Sequence, residues 1–92
     1  MAKASKGDIK LYKGVFLERI VEAHNERYED NQTDVKTLDA YLKFLLFGDE
    51  HISIKDISHE DMQNLKENVK YFALNRYDLD LDDNDDIKFN WR

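Results

Sequence analysis

The sequence predicts a small, mainly α-helical fold of three helices, closed by a short C-terminal β-hairpin. Three observations support this prediction. Apolar residues recur at helical spacing in three segments. The 92 residues include no proline and only three glycines, and the last residues alternate between apolar and polar side chains. A purely helical bundle with an irregular tail is the alternative. The length predicts a single domain, residues 1–92.

The first helix is predicted to run from Asp8, a favourable N-cap residue, to about Tyr28. Residues 1–7 are expected to be a flexible lead. Gly14 costs roughly 1 kcal/mol inside a helix, so the helix is expected to kink there or to begin after it. The apolar side consists of Ile9, Tyr12, Phe16, Ile20 and Ala23, with Leu17 and Val21 on its shoulder.

The second helix is predicted over residues 34–47. Thr33 or Asp34 can cap its start, and Gly48 stands where a left-handed terminator is expected. Apolar residues occur nearly all round this helix, which predicts a central position in the fold. Its predicted core stripe is Val35, Leu38, Leu42, Leu45 and Leu46.

The third helix has a clear start signal, because Ser58 is followed three residues later by Asp61 and preceded by the apolar Ile57. The helix is predicted to end near Tyr77. Residues 51–54, just before it, are a short strand or an extended connector. The predicted core stripe is Met62, Leu65, Val69, Phe72 and Ala73, and the tail hairpin would pair Leu79 and Leu81 with Ile87, Phe89 and Trp91.

The charge is unevenly distributed along the chain. The formal net charge is −6; residues 1–13 carry four lysines and one aspartate (+3), and residues 14–92 carry ten basic and nineteen acidic groups (−9). An acidic surface repels nucleic acid and anionic membranes and attracts basic proteins. We therefore expect a basic protein partner, with no direct binding to nucleic acid or membrane.

The composition also bears on location. Cysteine is absent, which excludes disulfides and fits a reducing compartment. The longest unbroken apolar run, residues 44–47, is far shorter than the roughly 20 residues needed to span a bilayer. We expect a cytoplasmic protein.

Two acidic groups are candidates for partner binding. Three glutamates follow one another at intervals of four residues, and six of the nine residues from 78 to 86 are aspartates. Four residues advance about 6 Å along a helix, which is close to the spacing of successive phosphates along a nucleic-acid strand. A solvated surface is the alternative. The predicted partner-binding residues are Glu18, Glu22, Glu26, Glu29, Asp78, Asp80, Asp82, Asp83, Asp85 and Asp86.

The acidic tail resembles the start of an EF-hand calcium loop, since Asp80, Asp82 and Asn84 occupy its first, third and fifth positions. Asp85 stands where that loop needs glycine, and Trp91 stands where it needs a bidentate glutamate. The tail therefore predicts an acidic surface rather than a ligand cage, and no metal site.

Catalytic signals are lacking. The three histidines, His24, His51 and His59, have irregular spacing and match no zinc motif. The sequence has no nucleophile elbow and no phosphate-binding glycine loop. We expect no catalytic residues and no cofactor, hence not an enzyme.

Several aromatic residues lie off the core stripes of the second and third helices. They cannot all enter one small core, and protein interfaces favour aromatic anchors. They predict an interaction patch, with homodimer formation among the options; coverage by the tail hairpin is the alternative. These residues are Tyr41, Phe44, Phe47, Tyr71 and Tyr77.

In size, acidity, absence of cysteine and proline, and richness in Lys, Asn and Asp, the chain resembles small acidic phage proteins that mimic DNA and inhibit restriction or nucleoid proteins. The resemblance implies a non-enzymatic inhibitor that presents carboxylates in place of DNA phosphates to a DNA-binding protein. Lys3, Lys6, Lys10 and Lys13 depart from that pattern and would have to point away from the mimic surface. The alternative function is a small helical adaptor or regulatory subunit that docks through the aromatic patch.

Overall fold

The computed structural model describes residues 3–81, which form three helices and no sheet. Helix α1 passes without a break through an α segment (Lys6–Leu11), a π segment (Tyr12–Leu17) and a second α segment (Glu18–Arg27). Helix α2 is Val35–Phe47 and helix α3 is His59–Tyr77. The prediction of a mainly α fold with three helices is confirmed. The predicted hairpin needs residues 82–92, which lie outside the described part of the chain.

Helix α1 begins earlier than the sequence predicted. Ser5, rather than Asp8, is the N-cap, and its Oγ accepts a hydrogen bond from the Asp8 backbone N–H at 3.1 Å. The Ala4 N–H donates to the Ile57 carbonyl at 3.1 Å. Residues 3–5, expected in a flexible lead, thus link the start of α1 to the segment that leads into α3.

Helix α1 begins before Gly14 rather than after it. The helix continues through Gly14 as the π segment, whose i→i+5 hydrogen bonds widen the turn. In this wider turn, positions four and five residues apart share a side. Tyr12, Phe16 and Leu17 therefore all point inward, and all three are fully buried.

The predicted ends of α2 and the predicted start of α3 are confirmed. Asp34 Oδ1 accepts from the Thr37 N–H at 2.8 Å, and Ser58 Oγ accepts from the Asp61 N–H at 3.1 Å. Gly48 ends α2 with φ of 74°, in the left-handed region where glycine is favoured. Residues 51–54 belong to a turn-rich connector rather than a strand.

The three helices pack around one apolar core. Asp8 of α1 lies against Gln63 of α3, and His24 lies against Tyr77, so α1 and α3 run parallel. Helix α2 follows α1 after a short loop and returns antiparallel to both. The buried apolar residues are Leu11, Tyr12, Phe16, Leu17, Ile20, Leu38, Leu42, Ile54, Ile57, Met62, Leu65, Val69, Ala73 and Leu81.

The predicted core stripe of α2 was wrong at Leu45, which is 57% exposed. Two charged residues of α2, Asp39 and Lys43, are buried instead. The reason is that Asp39 pairs with Tyr12 of α1, so the buried side of α2 includes residues 39 and 43 and leaves residue 45 at the surface.

We expect Leu65→Ala to lower the free energy of unfolding by about 2 to 5 kcal/mol, because it opens a cavity in a fully buried site. Leu74→Ala is the matched control on the same helix, since Leu74 is exposed, and should change stability little. Urea denaturation followed by circular dichroism measures both. Equal effects in the two variants would contradict the packing of α3.

Alanine substitutions at Gly48 and Gly14 should have opposite signs. Gly48→Ala places a Cβ on left-handed backbone and should cost about 1 kcal/mol. At Gly14 an added Cβ meets only Lys10 Cγ at 3.8 Å, an ordinary contact, so Gly14→Ala should stabilise by about 0.5 to 1 kcal/mol. Thermal denaturation measures both; destabilisation by Gly14→Ala would show that the π segment needs glycine.

Candidate protein-binding surfaces

The end of α3 directs the following residues back onto α1. Asp78 adopts left-handed backbone with φ of 55°, and its N–H donates to the Leu74 carbonyl at 3.2 Å. The Leu79 N–H donates to the Ala73 carbonyl at 3.1 Å. These bonds satisfy the last carbonyls of the helix and turn the chain sharply.

Arg27 and His24 of α1 hold this turn. The Arg27 guanidinium donates to the Arg76 and Tyr77 carbonyls at 3.2 and 3.0 Å. His24 Nε2 lies 2.9 Å from the Asn31 carbonyl, and Nδ1 lies 2.9 Å from the Tyr77 hydroxyl. Because a carbonyl only accepts, neutral His24 carries its proton on Nε2, and Tyr77 donates to Nδ1. Burial raises the pKa of Tyr77, so its hydroxyl remains a donor at neutral pH.

Residues 78–81 alternate between exposed aspartates and inward leucines. Leu79 lies in a shallow hollow on α1 beside Glu22 and Glu26, and Leu81 is buried. Asp78 and Asp80 are exposed. The predicted alternation is confirmed over these four residues, and the predicted binding residues Asp82, Asp83, Asp85 and Asp86 lie outside the described residues.

The structure thereby brings two predicted acidic groups to the same side of the molecule. We call the exposed carboxylates of Glu18, Glu22, Glu26, Asp78 and Asp80 the acidic face. Five carboxylates and the neighbouring Arg19 and Arg27 give this side a formal charge of −3. Glu29, also predicted to bind the partner, is exposed in the loop after α1.

Lys13 faces away from the acidic face. It lines a separate hollow with Val35, Lys36 and Asp39 on the α2 side of the bundle, whereas Glu22 and Glu26 line the hollow that holds Leu79. Lys3, at the other end of α1, is 3.8 Å from Asp56. The expected separation of lysines from the acidic side holds at Lys13.

A groove lies between α2 and α3, and a neighbouring hollow on α2 is lined by Tyr41 and Phe44 together with Lys36, Thr37, Ala40 and Glu50. The groove has a volume of about 230 Å³, and the rings of Tyr41 and Phe72 lie 6.0 Å apart across the two helices. Three of the predicted interface aromatics, Tyr41, Phe44 and Tyr71, are exposed, as are Leu45 and Leu74. The residues that line the groove are Leu42, Leu45, Asn68, Tyr71, Phe72, Asn75 and Arg76.

Two of the predicted interface aromatics have partners within the chain. Phe47 is half-buried and packs against the core. Tyr77 is half-buried and bonded to His24. Sequence reasoning missed Leu45 as a surface residue, because helical periodicity alone placed it in the core of α2.

A buried polar cluster joins α1, α2 and the connector. The Tyr12 hydroxyl donates to Asp39 Oδ1 at 2.8 Å, and Lys43 Nζ lies 2.9 Å from Asp39 Oδ2. Lys43 also donates to the Ile52 carbonyl. Burial, together with the charge of Asp39, raises the pKa of Tyr12 far above its ordinary range, so the phenol stays protonated. The Asp39/Lys43 pair, at i, i+4 within an otherwise apolar helix, is a sequence signal that could have indicated this cluster but was missed.

A second polar cluster joins the starts of α1 and α3. Asp8 accepts hydrogen bonds from Lys66 at 3.1 Å and from Gln63 at 2.9 Å. Burial opposes ionisation of Asp8, but the hydrogen bond and charge of Lys66, with hydrogen bonds from Ser5 and Gln63, outweigh it and lower the pKa. His59 Nδ1 lies 4.0 Å from the same carboxylate.

Residues 3–81 contain no group of three potential metal-binding side chains. Of the histidines, His24 is bonded to Tyr77 and His59 lies beside Asp8. None of the three helices in this part of the chain is long and apolar enough to cross a membrane.

No protein-family model matches the chain, and no characterised protein or solved structure shows significant similarity to it. The acidic face and the groove between α2 and α3 are the two candidate protein-binding surfaces of residues 3–81.

Acid should destabilise the protein partly through Asp8. In the folded protein the pKa of Asp8 lies below its ordinary value of 3.8. The stabilisation that the ionised carboxylate provides is therefore complete above pH 3.8 and is lost as the pH falls through the folded pKa. When the pH is lowered from about 5 to about 2, the free energy of unfolding of Asp8→Asn should fall less than that of the parent protein. Urea titrations at each pH measure this. Glu22→Gln, an exposed site, is the control; parent-like acid sensitivity in Asp8→Asn would contradict the role of Asp8.

Proposed function

We propose that this protein is a non-enzymatic inhibitor that binds a basic, DNA-binding protein through the acidic face. The carboxylates would occupy the surface that otherwise contacts DNA phosphates. The observation that carries the proposal is the docking of residues 78–81 on α1, which adds Asp78 and Asp80 to the glutamates of that helix.

The arrangement is suited to recognition of positive charge. Glu18, Glu22 and Glu26 follow each other at about 6 Å along α1, and like charges at this spacing destabilise an isolated helix. The chain nevertheless adds further carboxylates to the same side. Concentrated charge of one sign accelerates encounter with an oppositely charged partner, which gives the acidic face a use that offsets its cost.

The acidic face is also held in a defined shape. Hydrogen bonds from Arg27 to two carbonyls and from Tyr77 to His24 fix the end of α3 on α1. A partner would therefore meet carboxylates whose backbone positions are set before binding. Such pre-organisation lowers the ordering cost of association.

The second candidate function is a helical adaptor or regulatory subunit that docks through the groove between α2 and α3. The specific observation in its favour is the exposure of Leu45 and Tyr71 in that groove, with Tyr41 and Phe44 exposed in the neighbouring hollow on α2. Binding there would depend on apolar burial and would change little with salt, whereas binding through the acidic face would weaken steeply.

The test is capture of DNA-binding proteins from a cell lysate on the immobilised chain, at low and high salt, with and without competing duplex DNA. We expect capture at low salt that is lost at high salt and is reduced by DNA. A variant with Glu18→Gln, Glu22→Gln and Glu26→Gln should lose most of the captured protein, mainly through slower association.

The matched control removes an equal charge elsewhere, through Asp56→Asn, Glu60→Gln and Glu67→Gln, all at exposed sites. This control should capture as the parent does. Equal loss in both triple variants would mean that only net charge matters. Salt-independent capture that survives the α1 triple variant would contradict the proposal and favour the adaptor.

A further inference from the structure

A hollow on the α2 side of the bundle gathers positive charge in an otherwise acidic chain. It has a volume of about 730 Å³ and is bounded by α1, α2 and the connector between α2 and α3. Three of its lining side chains are lysines, one from α1 and two from α2, and His51 of the connector also lines it. We call this site the lysine hollow, after Lys13, Lys36 and Lys43.

The floor of the lysine hollow is a buried ion pair. Asp39 and Lys43 line the hollow, and each side chain is only 10% exposed. The Lys43 ammonium has three N–H donors, of which one is directed to Asp39 and one to the Ile52 carbonyl. Residues 3–81 offer no acceptor for the third donor. The ammonium is therefore held in place by two bonds and keeps one donor for a ligand in the hollow.

Lys13 and Lys36 carry the positive charge of the hollow that is not neutralised. Both are exposed, and neither forms an ion pair within the described part of the chain. The charges of Asp39 and Lys43 offset each other, and Glu50 is the other carboxylate of the hollow. Two lysines against one glutamate leave a formal charge of +1, opposite in sign to the −6 of the whole chain. The charge of the hollow is therefore complementary to an anion.

The π segment of α1 sets the position of Lys13. Tyr12 and Lys13 are its first two residues. The Tyr12 hydroxyl donates to Asp39 and so fixes this turn of α1 against α2, and the next residue, Lys13, lines the hollow. Turns of π-helix within α-helices are rare and are frequent at functional sites. Here the turn brings an ammonium group from α1 to the two lysines of α2.

The neighbouring hollow on α2 continues the lysine hollow along the helix. It is lined by the exposed rings of Tyr41 and Phe44, and we call it the aromatic hollow. Lys36, Ala40 and Glu50 line both hollows, so the two are continuous and these residues stand at their junction. A ligand that spans the junction meets ammonium groups, then a carboxylate that accepts hydrogen bonds, and then aromatic rings.

We propose that the two hollows together bind a mononucleotide, in which a planar base is joined through a sugar to one phosphate. The phosphate is bound by the three ammonium groups of the lysine hollow. The sugar hydroxyls donate to Glu50, and the base packs on Tyr41 and Phe44, since every base presents a flat π-face to an aromatic ring. This site goes beyond the proposed function, because none of its residues belongs to the acidic face.

Isothermal titration calorimetry of the full chain with adenosine and uridine monophosphates tests the proposal. We expect saturable binding with a Kd below about 1 mM. The nucleosides, ribose 5-phosphate and inorganic phosphate each lack part of the ligand, and each should bind about tenfold more weakly or less well still. Absence of saturable binding by both monophosphates would overturn the proposal. Inorganic phosphate that binds as tightly as the monophosphates would overturn it too, since the base and sugar would then contribute nothing.

Lysine substitutions test the phosphate contacts. Lys13→Gln and Lys36→Gln should each weaken binding of the monophosphates about tenfold, because each removes a charged donor to the phosphate. Lys10→Gln is the matched control, since it removes the same charge from an exposed position of α1 one turn before Lys13 and should bind as the parent does. Equal weakening in all three variants would show a general attraction of anions to lysines and would overturn the site.

Phe44→Ser tests the base contact. It should weaken binding of the monophosphates about tenfold and leave the affinity for ribose 5-phosphate unchanged. Tyr71→Ser removes an exposed aromatic from the groove between α2 and α3 and should change neither affinity. Circular dichroism checks that each variant is folded. Parent-like binding of the monophosphates by folded Phe44→Ser would contradict the proposal.

Discussion

The arrangement of the helices depends on the carboxylate of Asp39. It accepts from the Tyr12 hydroxyl and pairs with the Lys43 ammonium, which also donates to the Ile52 carbonyl. Without Asp39, a buried ammonium would lose its counter-charge, a loss that typically costs about 3 to 5 kcal/mol. The cluster joins α1, α2 and the connector at one point. It also sets the rotation of α2, because residues 39 and 43 must face inward for it to form.

That rotation has a direct consequence at the surface. With residues 39 and 43 turned inward, Tyr41, Phe44 and Leu45 lie outside the core. The groove between α2 and α3 therefore arises because polar residues pair within the core. It does not arise because the chain has more apolar residues than a small core can hold. The π segment contributes as well, since it keeps Tyr12 on the same inward side of α1 as Phe16 and Leu17.

The acidic face depends on a second set of contacts, between α1 and the end of α3. His24 and Arg27 hold Tyr77 and the neighbouring carbonyls, and Leu79 packs against α1. The two surfaces lie on different sides of the bundle and rest on different contacts.

The candidate site was only partly predictable. The glutamates of α1 and the aspartates from residue 78 onward were identified from the sequence as two separate groups, and their exposure at residues 18, 22, 26, 78 and 80 follows the prediction. Their proximity was not predictable, because it depends on contacts such as His24 with Tyr77, which join residues 53 positions apart. The packing of Phe47 against the core and the hydrogen bond of Tyr77 with His24 were missed because they too join residues distant in the chain.

The sequence by itself determined the helices and most of their ends. Asp34, Gly48 and Ser58 act through hydrogen bonds or backbone angles within a few residues, so local signals sufficed to find them. The burial of Leu42 and Leu65 followed from helical spacing. Only the tertiary structure decided the rotation of α2, the π turn through Gly14 and the docking of residues 78–81 on α1. Each of these arises from pairing or packing between residues distant in the chain. Such contacts produce no periodic pattern in the sequence from which they could be predicted.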